Sequence, residues 1–126
     1  MAGASATAIK SYIASAAIPK RRIVRHASAD NQVQLGSAAT DLLIGVTTEI
    51  DVVANEPVDV IREGLADIEY GGTVTRGQPL TSDGTGRAVV AAPAAGSNVR
   101  LIGFAEVSGV VGDIGTVFIS PSVMQG

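Results

Sequence analysis

The stretch GGTVTRGQPLTSDGTGRAV, residues 71–89, gathers glycines, hydroxyls and a carboxylate between apolar runs. Gly72 and Gly77 have the spacing of a phosphate-binding loop. Such a loop also needs a Lys and a Ser or Thr directly after the second glycine, with a helix to follow. Gln78 and Pro79 stand there instead, and Leu80 and Thr81 lead into another turn. A calcium loop needs several carboxylates at alternating positions, and TSDGTGR offers only Asp83. His26, Ser28 and Asp30 have the residue types of a nucleophilic triad. Neighbours two apart on a strand cannot point at one another as nucleophile, base and orienter. A single His makes no ordinary metal site, and a chain without Cys has no thiolate chemistry. Asp51, Glu56, Asp59, Glu63, Asp67 and Glu69 alternate with apolar residues, as the solvated face of a sheet does. A glycosidase carboxylate pair would need a larger cleft than so short a chain offers. The sequence therefore assigns no catalytic, cofactor-binding or metal-ligating residue and reads as no enzyme.

What remains of these motifs is architecture. Ser82, Asp83, Gly84 and Gly86 are turn residues, flanked by Leu80 before and Ala88, Val89 and Val90 after, which predicts a hairpin. Gly71-Gly72 and Arg76-Gly77 mark two further corners. From Arg21 onward short Val- and Ile-rich runs alternate with turn residues. Strands are predicted at 22–26, 32–35, 42–47, 50–53, 58–62, 67–70, 73–75, 79–81, 88–91, 99–107 and 116–120. No convincing helix interrupts them, although SAATDLLIGV could carry one turn. This is the pattern of an all-β protein, a small β-barrel or β-sandwich of short antiparallel strands, β-tulip-like in outline. One weak repeat is visible. IGVTTEIDVVANEPVDVI from Ile44 and IGFAEVSGVVGDIGTVFI from Ile102 align at Val52/Val110, Val53/Val111 and Ile61/Ile119. Each reads strand, turn, strand, either as related halves of a barrel or by chance in a Val-rich chain.

The 126 residues make one domain, 46% apolar and only 17% charged, with 3% aromatics. Small Ala and Val side chains give a thin core, and a surface poor in charge suits coverage by a partner or by copies of the chain. No apolar run reaches the roughly 18 residues of a membrane span, and no signal peptide is read, so the expectation is a soluble, intracellular product. Charge is unevenly placed. Residues 1–29 carry five cations and no acid, and the rest carries four arginines against twelve acids. Ile9, Tyr12, Ile13, Ala16 and Ala17 have helical spacing in a segment too short to hold a helix alone. Residues 1–22 are accordingly expected to be a mobile arm that orders on contact, ahead of a body at 23–126. The cluster Lys20, Arg21, Arg22 and Arg25 could touch phosphates, but no aromatic interleaves it and the body is acidic.

IEYGGTVTRGQPLTSDGTGRAV followed by IGFAEVSGVVGDIGTVFISP resembles the small capsid decoration (cement) proteins of tailed bacteriophages. The positions that carry the resemblance are Gly72, Gly77, Leu80, Asp83, Gly86, Arg87 and Val89, then Ile102, Gly103, Ala105, Gly112, Asp113, Val117 and Ile119, within residues 40–121. Gly72, Gly77, Asp83, Gly84, Gly86, Gly103, Gly112 and Asp113 are expected to act as turn and architectural residues. The resemblance implies a virion protein on the outside of the capsid, made in the host cytoplasm. It would join neighbouring major capsid protein subunits after the head expands. It implies a homotrimer, with dimers in some related cements, and no catalytic residue, cofactor, small-molecule ligand or membrane contact. The basic arm departs from the family pattern. Ile9, Lys10, Tyr12, Ile13, Lys20, Arg21, Arg22 and Arg25 are expected to contact the capsid, through strand addition and salt-sensitive ion pairs. Deleting residues 1–22 is then expected to weaken attachment and leave the body folded. Other readings are a tail or fibre component, and a nucleic-acid-binding module built on the basic arm.

Overall fold

Leu43–Thr47 reads Leu-Ile-Gly-Val-Thr, with no alternation of polar and apolar residues, and all five residues are buried. A strand of that kind must have packed structure on both faces. The computed structural model describes residues 5–126, with the side chains given from Ala6 onward. Its strands are β1 (Ser5–Ala14), β2 (Ile23–His26), β3 (Gln32–Leu35), β4 (Leu43–Thr47), β5 (Pro57–Glu69), β6 (Pro79–Ser82), β7 (Ala88–Val90), β8 (Asn98–Ala105) and β9 (Ile114–Gln125). They form one sheet in the order β1-β3-β2-β4-β5-β9-β8-β6-β7, and β1 also pairs with β5. That last pairing closes β1, β3, β2, β4 and β5 into a five-strand ring, while the other strands extend as a wing. The all-β expectation is thus borne out.

Two cores follow from this plan. Tyr12, Ala14, Val24, Val33, Ile44, Val58 and Val60 fill the ring, with Ile18 and Val52 at one end. Ile23, Leu43, Val46, Ile61, Ala66, Ile68, Tyr70, Leu80, Ile102, Val117 and Ile119 fill the space between ring and wing. Adjacent residues therefore serve different cores: Ile23 and Val24 on β2, Leu43 and Ile44 on β4, Val60 and Ile61 on β5. This is why β4 is buried throughout. β5 is the shared member. It runs antiparallel to β1 over residues 57–65 and to β9 over residues 64–69. Gly64 sits at the changeover with φ of +104°, a conformation that a side chain resists. The alternation of β5 slips there, so Ile61 and then Ala66 and Ile68 all face the second core.

The N-terminal segment is extended, but it is a strand of the ring and not a free arm. Thirteen-residue β5 lines one side of it, and Ala14 pairs in parallel with Val33 of β3. Tyr12 and Ala14 are fully inside. The boundary drawn after residue 22 consequently cuts through one ring, because the interior of that ring needs the side chains of β1. Other expectations shift as well. The segments 58–62 and 67–70 are one strand, joined through Gly64. Ile50–Val53 and Thr73–Thr75 form no strands and contribute single bridges, Val52 to Ile18 and Val74 to Gly109. SAATDLLIGV carries no helical turn, since the Asp41 carboxylate accepts from the Ser37 and Ala38 N–H groups and closes a tight corner before β4. The weak repeat corresponds to two antiparallel pairs, β4–β5 and β8–β9, of which only the first belongs to the ring.

Tyr12 is the largest side chain that β1 places in the ring. Tyr12→Ala is expected to cost about 3–5 kcal/mol, as large-to-small changes of buried aromatics do. Deleting residues 1–14 should abolish the cooperative thermal transition of the ring, followed by circular dichroism. A truncated chain that melts like the full chain would show that β1 is dispensable.

Candidate contact surfaces

The basic cluster is engaged by the chain's own acids. Arg21 donates its guanidinium to Glu49, and its backbone takes φ of +57° in the corner before β2. Arg22 reaches Glu69 at 3.3 Å and donates to the Thr85 carbonyl at 2.9 Å. Arg25 pairs with Asp41 at 3.2 Å. The charge asymmetry of the sequence is therefore a folding device: the basic N-terminal part lies against the acidic remainder. Arg21, Arg22 and Arg25, expected to contact the capsid, are thus engaged within the chain. Tyr12 is engaged too, since it is buried and its hydroxyl accepts from the Arg62 guanidinium. Ile9, Lys10, Ile13 and Lys20 are exposed. The Lys10 ammonium lies 4.9 Å from the centre of the Tyr12 ring and donates to Asn31 Oδ1 at 3.0 Å. No side-chain hydrogen bond joins His26, Ser28 and Asp30 among the described residues.

The stretch 82–88 closes the β6–β7 hairpin. Asp83 accepts from the N–H groups of Thr85 and Arg87, both at 2.9 Å, from the Thr85 hydroxyl and from the Arg87 guanidinium. Burial opposes charge on this carboxyl, but the backbone donors, Arg87 and the Thr85 hydroxyl outweigh it and hold the pKa below the ordinary Asp value. Arg87 also faces Glu69, which Arg22 shares, so one network ties hairpin, β5 and β2. Gly86 has φ of +77°, and a Cβ there would meet Leu35 at 2.6 Å. Gly77 and Gly112 also take positive φ. Gly72 and Gly84 do not, and both have room for a side chain. Gly103 is no turn residue. It lies within β8 beside a register shift, where a Cβ would sit 1.9 Å from the Phe118 carbonyl oxygen. Asp113 accepts from the Val110 N–H and shapes the β8–β9 turn. Below that turn Tyr70 donates to the Val107 carbonyl at 2.7 Å. Burial first, and then the Asp113 charge, raises the Tyr70 pKa.

Besides Ile9, Ile13, Leu42 and Val123, exposed apolar side chains fall in three groups. Ile50 and Val53 are exposed at one end of the ring, where Val53 lines a shallow hollow with Ala17, Ile18, Pro19, Leu35, Asp51 and Val52. Val107, Val110 and Val111 crown the β8–β9 turn. Phe104 and Phe118, both of the chain's phenylalanines, are 41% and 43% exposed and paired across β8 and β9. The sequence reading overlooked these two. Their signal was present: Val117 and Ile119 flank Phe118, so if those face inward the phenylalanine faces out.

The β-frame thus carries apolar side chains at its surface. Among the described residues no three His, Asp or Glu side chains gather as a metal site, and no helix is long and apolar enough to cross a membrane. A family model described as phage cement protein matches residues 5–113, and the chain belongs to that family. Membership supports a role in decorating the phage capsid. No curated protein matches the chain. Among solved structures it is similar to the head fiber gp8.5 N base of bacteriophage phi29, with a TM-score of 0.67 and 18% identity over 90% of this chain and 93% of that one. At that identity the likeness is one of fold.

The Asp83 network gives a pH test. A carboxyl with a depressed folded pKa stabilises above its unfolded value, and the contribution is lost as pH falls through the folded value. Asp83→Asn is expected to cost about 1–2 kcal/mol at neutral pH and to reduce the loss of stability on acidification. Urea unfolding at neutral pH and at about pH 3 checks this, with the ordinary Asp value lying between. Equal acid sensitivity in both proteins would remove Asp83 from the account.

Proposed function

We propose that the protein is a decoration protein that binds the outer surface of the expanded phage head, as a homotrimer, and stabilises it by bridging neighbouring major capsid protein subunits. The observation that carries the reading is the cement-family match across residues 5–113. The physical character of the chain supports it. Ring closure pairs β1 on both sides at Ile13 and Ala14, which covers part of the sheet edge against edge-to-edge aggregation at the high local concentration of a virion surface. Apolar patches of modest size give weak single contacts, which symmetry multiplies on a shell. Ile9, Lys10, Ile13 and Lys20 remain contact candidates because they stay exposed. The nucleic-acid reading loses ground, because three arginines of its basic cluster are held by Glu49, Glu69 and Asp41. The fold likeness to a head fiber base keeps a fibre-base role as the second reading, on the same particle.

Co-sedimentation of the purified protein with undecorated heads of its source phage tests the proposal. Saturable binding to expanded heads and none to unexpanded heads is expected. Absence of binding to either form would overturn it.

A further inference from the structure

Leu65 of β5 pairs with Phe118 of β9, Phe118 with Phe104 of β8, and Phe104 with Pro79 of β6. Directly paired residues share a face of a sheet, so these four side chains form one row across four strands. Their chain neighbours Ala66, Val117, Ala105 and Leu80 all belong to the second core, which puts the row on the outside of the wing. Beside it runs a polar row. Asp67 pairs with Thr116 and accepts from its hydroxyl at 3.0 Å, and the Glu106 N–H bonds the Thr116 carbonyl. Neither Asp67 nor Glu106 has an ion-pair partner among the described residues. Asp67 and Thr116 are buried, so the four side chains make an apolar line flanked by one exposed acid, Glu106.

Size and charge select the occupant. A fully buried aromatic removes about 150–250 Å² from water, so two rings that are already more than half covered offer on the order of 150 Å². A stable pair in solution needs roughly 800 Å² from each partner. The row is too small to hold two free copies together. A partner presented in many fixed copies needs much less from each contact. Resting on the capsid-binding reading above, we infer that the Leu65–Phe118–Phe104–Pro79 row docks on the shell. Its occupant is an apolar segment of the major capsid protein that carries a Lys or Arg opposite Glu106.

The test uses expanded, undecorated heads and three proteins: the wild type, Phe104→Thr/Phe118→Thr, and Ile50→Thr/Val53→Thr at one end of the ring. Threonine keeps strand propensity, so the wing should stay folded. The wild type and the ring variant are expected to bind alike, and the double phenylalanine variant at least about tenfold more weakly, as for loss of a central aromatic anchor. Glu106→Lys is expected to weaken binding without unfolding the chain. Hydroxyl-radical labelling of the wild type covers the case of a misfolded variant: oxidation of Phe104 and Phe118 should drop on heads. Wild-type binding with full affinity in the phenylalanine variant, or with undiminished oxidation, overturns this face and leaves capsid attachment standing. Wild type that binds no head overturns both. A phenylalanine variant that turns an oligomer into a monomer shows the row to be a contact between copies, which also overturns the inference.

Discussion

The pairing of β5 with both β1 and β9 is the constraint on which the rest of the structure depends. A chain with 46% apolar residues and 3% aromatics has few large side chains from which to build one deep core. It builds two shallow ones and makes three strands serve both. β5 has to be long enough to leave the ring and enter the wing, and its side-chain phase has to slip on the way. Gly64 meets that need through a backbone conformation that costs glycine little. Ring closure then pairs β1 on both sides at Ile13 and Ala14, and the wing is left with Phe104 and Phe118 exposed.

Electrostatics reinforce this plan. Arg21, Arg22 and Arg25 precede or lie on β2, and they reach acids on the β3–β4 corner, the loop after β4 and β5. Each pair is partly exposed and individually worth little. Together they bind the start of the chain to strands that follow much later. Arg22 and Arg87 share Glu69, so the β6–β7 hairpin is fastened to the ring side of the molecule as well. What is left at the surface includes the exposed cations Lys10, Lys20, Arg76 and Arg100, exposed acids such as Glu106, and scattered apolar side chains.

Much of the sheet was legible in the sequence. β2, β3, β4 and β7 are short Val- and Ile-rich runs bounded by turn residues, and the hairpin chemistry of Ser82–Gly86 is local. β1 was not legible, because Ser5, Ala6, Thr7 and Ala8 carry no strong periodic signal and the strand is specified by its partners. Gly64 reads as a breaker in a sequence and acts as a bulge in the sheet, so β5 was divided. The cluster at Lys20–Arg25 looked like a free contact device because ion pairing with Glu49, Glu69 and Asp41 is non-local. Among the architectural glycines, Gly77, Gly86 and Gly112 need their positive φ, whereas Gly103 is fixed by close approach of two strands, which local patterning does not reveal.

In the function proposed above, this ring-and-wing protein sits on the outside of the head and spans the boundary between capsid subunits. A cryo-electron microscopy difference map between expanded heads with and without the protein addresses it most directly. Added density is expected on the outer surface, repeated with the shell's symmetry and touching two neighbouring capsid subunits. Density confined to the tail or a single vertex, or none at all, would contradict it.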